Sequence, residues 1–285
     1  MSDNLRGSLF MVAAMAGFAV EDMLLKAAAK TVGLGQVLLM FGLAGLLAFA
    51  ILTRRQGRPI WDRAYLGRAI LFRSGFEVTG RLFYALAFVL TPLTSATAIL
   101  QATPLVVVGG AALFLGEKVG WRRWTAILVG LGGVILILRP GVEGFSPLSI
   151  LAVIGMIGFA GRDLATRAAP RQLSAMQLGV CGFAMLSVAG AILMVWTSAP
   201  EMPDAGALAA IGGATVFGVF AYFMLTLAMR TGEVSAVTPF RYSRLLFGMG
   251  LGILVFSERP DLLTIVGALV IVLSGTFALL RTHRA

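Results

Sequence analysis

The sequence predicts an all-α membrane protein with ten transmembrane helices, arranged as two inverted five-helix repeats. Three observations predict this fold. The composition is too apolar for a soluble domain, the apolar residues form runs long enough to cross a bilayer, and the two halves of the chain share polar residues in register.

The composition excludes most soluble classes of protein. Of the 285 residues, 59% are hydrophobic and 13% are charged, whereas soluble domains average about 45–50% and about 25%. The net charge of +10 does not indicate nucleic-acid binding, because the basic residues are spread between apolar runs, as topology signals are. Cys181 and His283 are single residues of their types, so we expect no disulfide within the chain, no metal site and no cofactor.

Ten apolar runs account for most of the chain. At about 20 residues per span, they leave short loops and no room for a soluble domain. Glycine and proline mark several of the breaks, and the apolar periodicity is helical rather than alternating. The predicted spans are 8–28, 34–52, 67–90, 93–115, 122–138, 147–166, 174–196, 206–228, 235–256 and 262–280.

The loop charges predict the orientation of these spans. If the N-terminus is cytoplasmic, the loops and ends on that side hold 14 lysines and arginines and the opposite side holds 4. Cytoplasmic loops are enriched in basic residues. We therefore expect a multi-pass protein of a bacterial inner membrane with both termini in the cytoplasm.

An internal repeat divides the chain into residues 1–140 and 141–285. Residues 15–36 match residues 156–177 at a constant offset of 141, which pairs Asp22 with Asp163 and Gln36 with Gln177. Each half has an odd number of spans, so the second half is inverted relative to the first. Inverted repeats are typical of transporters, whose substrate site lies between the halves near the membrane midplane.

The sequence also resembles a known family. The stretch Tyr84–Arg123 reads YALAFVLTPLTSATAILQATPLVVVGGAALFLGEKVGWRR, and its counterpart ends in Phe256-Ser257-Glu258-Arg259-Pro260. Both are similar to the EamA-type transporters of the drug/metabolite transporter (DMT) superfamily. The resemblance implies a secondary transporter of a small molecule, with no enzymatic activity. Arg244 departs from the pattern, because the repeat alignment places a proline there.

The substrate is less well indicated than the family. The N-terminal run NLRGSLFMVAAMAGFAVEDM is similar to the riboflavin transporters of this family, which implies uptake of a riboflavin-like vitamin. An exporter of amino acids, drugs or metabolites from the same family is the alternative. A different class, an intramembrane enzyme that uses Asp22 and Asp163 as facing acids, also stays open.

Ionisable side chains within the spans are the candidate site, because each is costly in a bilayer without a partner. Arg73, Glu77 and Arg81 are spaced i, i+4 and i+8, which places them on one face of helix three. This face is either a structural ladder of charges or part of a substrate cavity, and the two can coexist.

The first helix of each repeat carries a second group of charges. Glu21 and Asp22 correspond to Arg162 and Asp163, so one position changes sign between the repeats. The i, i+4 spacing predicts ion pairs between Asp22 and Lys26 and between Asp163 and Arg167.

The ninth helix adds Arg241, Tyr242 and Arg244. In the repeat alignment, Arg241 and Arg244 correspond to Gln101 and Pro104 of helix four. Two arginines one turn apart need carboxylates or an anionic ligand nearby. The charges in the spans nearly balance, which favours a zwitterionic, anionic or hydrogen-bond-rich substrate. The predicted substrate-binding residues are Glu77, Arg81, Gln101, Asp163, Arg241, Arg244, Tyr242, Arg162, Glu21 and Asp22.

Glycines on helix nine leave the oligomeric state open. Gly248, Gly250 and Gly252 form a small-residue pattern that fits close packing within the chain or between two copies. We expect a monomer or a weak homodimer.

Overall fold

The computed structural model describes residues 2–90, 99–138, 147–197, 201–256 and 261–282, and these residues contain no β-strand. These residues include two short 3-10 helices, Arg63–Leu66 and Thr238–Tyr242. The α-helices are α1 (Asp3–Ala28), α2 (Leu34–Arg55), α3 (Arg68–Leu90), α4 (Thr103–Phe114), α5 (Trp121–Leu138), α6 (Ser149–Ala168), α7 (Ala175–Thr197), α8 (Ala205–Arg230), α9 (Val234–Val237), α10 (Ser243–Phe256) and α11 (Leu262–Thr282).

Six of the described helices are long and apolar enough to cross a membrane, namely α1, α2, α5, α6, α7 and α8. The α3 helix has 23 residues, but Arg73, Glu77 and Arg81 occupy its middle, so it depends on polar partners from its neighbours. Side chains cap the N-termini of α1 and α8. The Ser2 hydroxyl accepts a hydrogen bond from Leu5 N, and the Asp204 carboxylate accepts one from Ala207 N. The predicted helical membrane class is confirmed.

Four antiparallel helix pairs form the packed body, namely α1 with α8, α2 with α7, α3 with α6 and α5 with α11. In each pair, residue numbers rise along one helix as they fall along the other. Two contacts fix the direction of each pair. For α1 with α8 they are Gly17 with Ala221 and Leu24 with Gly213, and for α2 with α7 they are Gly35 with Met194 and Gly45 with Phe183. For α3 with α6 they are Tyr84 with Gly155 and Phe76 with Gly161, and for α5 with α11 they are Gly130 with Ser274 and Gly133 with Gly267.

Glycines allow the backbones to approach closely within these pairs. The tightest approach between α3 and α6 is at Gly158 and Gly80, where a Cβ atom added to Gly158 would lie 2.5 Å from the Gly80 nitrogen. No side chain fits at that distance. The glycines on α10 differ, because a Cβ atom at Gly248 or Gly250 would have no described neighbour within 4 Å.

The predicted ninth span, 235–256, is not one continuous helix. The chain forms α9, then the 3-10 helix Thr238–Tyr242, and then α10. The cause is Pro239, which has no backbone N–H to donate and whose ring is incompatible with an α-helical turn before it. The Thr238 hydroxyl compensates in part by donating to Val234 O at 2.7 Å.

Helix four also differs from the prediction. The described part, α4, begins at Thr103, so Pro104 lies in its first turn rather than in the middle of a helix. Proline is well tolerated there, because the first N–H groups of a helix have no intrahelical partner. The earlier part of the predicted span, residues 93–98, lies outside the described residues, as does the predicted boundary between the halves at residues 140 and 141.

Two glutamines, at the starts of α2 and α7, each donate a hydrogen bond to a main-chain oxygen of the other half of the chain. The Gln36 side chain donates to Glu201 O at 2.7 Å and accepts from Glu201 N at 3.0 Å. The Gln177 side chain donates to Pro59 O at 3.0 Å and accepts from Ser174 N at 2.9 Å. Each glutamine therefore binds the main chain of the segment that precedes the third long helix of the other half of the chain.

Candidate functional site

Glu77, on α3, is the centre of a network of buried charges. Its side chain is fully buried and bonds to groups on three helices. Arg81 Nε and Arg162 Nη1 each lie 3.4 Å from Glu77 Oε1, and the Tyr222 hydroxyl donates to Oε2 at 2.7 Å. Because α3, α6 and α8 all contribute, the carboxylate ties the middle of the helix body together.

Arg73 lies one turn before Glu77 on the same face of α3, and it is 1% exposed. Its Nε donates to the Thr166 hydroxyl at 2.9 Å and its Nη2 donates to the Tyr222 hydroxyl at 2.6 Å. The Tyr222 hydroxyl thus accepts from a guanidinium and donates to a carboxylate. Arg73 and Glu77 are linked through this hydroxyl rather than by a direct ion pair.

Asp163, on α6, extends the network to the 3-10 helix before α10. Arg162 Nη2 lies 2.8 Å from Asp163 Oδ1, and Arg241 Nη1 bonds to Oδ2. Arg81, Glu77, Arg162, Asp163 and Arg241 therefore form one chain of alternating charges. Such alternation lets charged groups share a low-dielectric interior that none of them would occupy alone.

Two of these guanidinium groups also contact one aromatic ring. The Arg162 and Arg81 guanidinium carbons lie 5.2 Å and 5.7 Å from the centre of the Phe159 ring. These are cation–π distances, and the interaction is stronger where water is excluded. The ring holds both arginines beside Glu77 without neutralising them.

Asp22 and Arg244 form a separate, more accessible ion pair. Arg244 Nε lies 2.9 Å from Asp22 Oδ2, and the guanidinium lies 5.2 Å from the centre of the Phe18 ring. The side chains of Arg244 and Asp22 are 31% and 51% exposed, against 12% for Arg241 and 1% for Asp163. Exposure therefore rises from Glu77 towards this pair, which makes it the accessible end of the site.

Two of the ion pairs predicted within single helices, Asp22 with Lys26 and Asp163 with Arg167, are wrong. Asp22 pairs with Arg244 rather than with Lys26, and Asp163 pairs with Arg162 and Arg241 rather than with Arg167. The i, i+4 rule describes an isolated helix surface. In the folded chain, arginines from the segment around α10 reach both aspartates, while Lys26 and Arg167 stand in the last turns of their helices, where a long side chain reaches water.

The remaining predicted residues lie elsewhere in the fold. Glu21 is buried beside Gly218 and Phe41 and forms no ion pair among the described residues. Tyr242 is fully buried against α5, where its hydroxyl donates to Ile127 O at 3.2 Å. Gln101 is buried in the turn before α4, and no hydrogen bond joins it to the network within the described ranges.

Sequence reasoning missed Tyr222 and Thr166 and left Arg73 out of the site. A tyrosine within an apolar span has a hydroxyl that needs a partner, so Tyr222 was visible in principle as a polar group inside the eighth span. Nothing in the spacing of Thr166 indicated that its hydroxyl accepts from an arginine on another helix.

The charged groups of the site can recognise an ion through ion pairs and charge-assisted hydrogen bonds. Five arginines and four carboxylates lie in or beside the network, and each aspartate is held by an arginine. An aspartyl enzyme requires two facing carboxylates that share a proton. The described residues also contain no group of three histidine, cysteine or acidic side chains that could hold a metal ion.

Comparison with known proteins identifies the family. The EamA-like transporter family matches residues 5–139 and again residues 147–280. The chain is 29% identical to the pseudopaline exporter CntI of Pseudomonas aeruginosa, over 98% of this chain and 97% of that protein. It is 27% identical to a riboflavin transporter of Vibrio cholerae, over 96% of this chain and 92% of that protein.

A solved crystal structure has the same fold, with a TM-score of 0.83, 16% identity and coverage of 98% of both chains. The relatives are transporters with different cargoes, so they support a transport function without a specific substrate. The apolar helices agree with a multi-pass protein of the membrane. The chain belongs to the EamA-like transporter family of the DMT superfamily.

Proposed function

We propose that this protein is a secondary transporter that moves a small polar metabolite, zwitterionic, anionic or rich in hydrogen-bonding groups, by alternating access. The observation that carries the proposal is the buried charge network, whose members come from both halves of the chain. The network, the neighbouring Asp22–Arg244 pair and Glu21 together hold five arginines and four carboxylates, so a substrate carboxylate or an imide-like oxygen can bind there without creating an unpaired buried anion.

The proposed architecture is ten spans in two inverted repeats, residues 1–140 and 141–285. Two features support it. The second helices of the two halves, α2 and α7, pack antiparallel to each other, and so do the last helices, α5 and α11. Equivalent helices that run in opposite directions are what an axis in the membrane plane produces. The hydrogen bonds that Gln36 and Gln177 donate to the opposite half support the same symmetry.

The network gives alternating access a physical basis. Glu77 on α3 is bonded to Arg162 on α6, and Asp22 on α1 is bonded to Arg244 on α10. These ion pairs join the two halves. A bound anion competes for the same guanidinium groups. Its binding can therefore replace one set of ion pairs between the halves with another at a small cost in free energy.

A second set of cross-half contacts lies at the end of the molecule that we assign to the cytoplasm. The Glu117 carboxylate accepts from Val234 N at 2.9 Å and from Ser235 N at 3.1 Å. Arg123 donates to the Ser235 hydroxyl at 2.7 Å and pairs with Glu233. With both termini in a bacterial cytoplasm, as the loop charges predict, this arrangement corresponds to a state closed to the inside.

Riboflavin-like vitamin uptake is our narrow proposal for the substrate. The similarity to a riboflavin transporter supports it, and the guanidinium forks of Arg241 and Arg244 suit the imide oxygens of a flavin. Export of an amino acid or another metabolite is the second candidate, which the similarity to the pseudopaline exporter favours.

A thermal-shift screen of the purified protein against riboflavin and the amino acids tests the proposal. The stabilising compound is then assayed for uptake into proteoliposomes. Arg241→Lys is the site variant, and Arg122→Lys, on the surface at the start of α5, is the matched control. We expect the shift and the uptake to fall in Arg241→Lys only. Equal effects of both substitutions would contradict the assignment of the site.

A further inference from the structure

Glu21, on α1, is a buried carboxylate that has no counter-ion in the part of the chain that the structure describes. Its side chain is among the most buried in the protein, at 1% exposed. Its Oε2 has no hydrogen-bond partner, and among the described residues no cation lies within 4 Å of its carboxylate. By contrast, Asp22, Glu77 and Asp163 are each paired with at least one arginine.

Apolar groups form the immediate surroundings of this oxygen. A Cβ atom added to Gly218 on α8 would lie 3.1 Å from Glu21 Oε2 and 2.6 Å from the tip of the Phe41 ring on α2. Neither helix offers a hydrogen bond at that point. An ionised carboxylate in such a place loses its hydration and gains no hydrogen bond or ion pair in return.

Charged groups from four helices face Glu21 at longer range. They are Arg81 on α3, Arg162 on α6, Arg244 on α10 and the neighbouring Asp22 on α1. Each of these arginines is already bonded to another carboxylate. A rearrangement that freed one of them would let Glu21 ionise and take its place as a counter-ion.

We propose that Glu21 is a proton-binding site that couples proton movement to transport. The inference rests on the proposed transport function, because the proton and the cargo share one network. With Glu21 neutral, five arginines face three ionised carboxylates and the site has room for an anion. When Glu21 releases its proton, its carboxylate competes with that anion. The proton and an anionic cargo therefore bind together, and an inward proton gradient drives uptake.

The test measures the protonation of Glu21 directly and needs no substrate. The wild-type protein is labelled with ¹³C-glutamate, reconstituted in lipid nanodiscs, and titrated with infrared detection of the carbonyl band of protonated carboxylic acids. Exposed glutamates ionise near pH 4.3. We expect an isotope-shifted band that persists at pH 7, that disappears in Glu21→Gln, and that is unchanged in Glu201→Gln.

Two results would overturn the proposal. The first is the absence of a labelled acid band at neutral pH in the wild-type protein, a measurement that does not depend on how any variant folds. The second is a band that survives in folded Glu21→Gln, since it would belong to another glutamate. Either result leaves the transport function standing, because binding and uptake of the cargo are measured separately.

Discussion

Tyr222→Phe removes a single oxygen atom from the centre of the network. That hydroxyl accepts from Arg73 at 2.6 Å and donates to Glu77 at 2.7 Å. The ring keeps its packing against Phe49 and Phe183, so the substitution tests the polar contacts alone. The substitution leaves the Arg73 guanidinium and Glu77 Oε2 each without one hydrogen-bond partner, and both groups are buried.

The expected cost follows from the charge of these partners. Hydrogen bonds to charged groups contribute about 1.5–3 kcal/mol each, while hydrogen bonds inside membrane proteins average about 0.6 kcal/mol. These values bound the two bonds of Tyr222 between about 1.2 and about 6 kcal/mol in total. Since both bonds go to ions, we expect Tyr222→Phe to lower the free energy of unfolding by an intermediate amount, about 2–4 kcal/mol. Tyr242→Phe is the matched control, because Tyr242 is equally buried but donates to a neutral backbone carbonyl. We expect it to cost about 0.6 kcal/mol.

The assay is reversible unfolding of the purified protein in detergent. Circular dichroism monitors the unfolding of both variants. A double-mutant cycle with Glu77→Gln then isolates the coupling between the hydroxyl and the carboxylate. If Tyr222→Phe costs no more than Tyr242→Phe, Arg73 and Glu77 have closed up into a direct pair. The tyrosine would then not be the element that holds them, and the reasoning would be refuted.

Three further outcomes are expected. Arg241→Lys should reach the membrane at normal levels but lose most substrate uptake, because a lysine can replace the single contact of Arg241 Nη1 with Asp163 but not the planar set of guanidinium donors left for a substrate; normal uptake would make Arg241 a structural charge. A reporter that is active only in the cytoplasm should give signal when fused after residue 285, and activity of a periplasmic reporter there would contradict the proposed topology. Gly158→Ala should lower the thermal stability markedly, since its Cβ would meet the Gly80 backbone at 2.5 Å, whereas Gly75→Ala, which meets no atom within 4 Å, should not; equal stabilities would show that α3 and α6 can separate without cost.

The helical membrane class was predictable because it depends on composition and on the length of apolar runs. The alignment of Arg73, Glu77 and Arg81 was also predictable, since helical periodicity alone puts them on one face. The i, i+4 contact between Arg81 and Glu77 is present in the structure. The pairing of Asp163 with Arg241 agrees with the expectation that the arginines of the ninth span need carboxylates nearby.

The partners across helices were not predictable from spacing. Local rules paired Asp22 with Lys26, because they treat one helix at a time and cannot anticipate that Arg244 reaches Asp22 from another helix. Tyr222 was overlooked for a related reason. Its importance comes from lying between two charges on another helix, and no pattern within α8 records that neighbourhood.

Gln36 and Gln177 recognise only main-chain atoms of the segments they hold. A primary amide offers both a donor and an acceptor, which is what Gln36 uses on the nitrogen and oxygen of Glu201. A glutamate in its place would lose the donor. The side chains at Glu201 and Pro59 take no part in these bonds. The two connecting segments are therefore free to diverge in sequence among related proteins, while each glutamine is restricted by its amide chemistry.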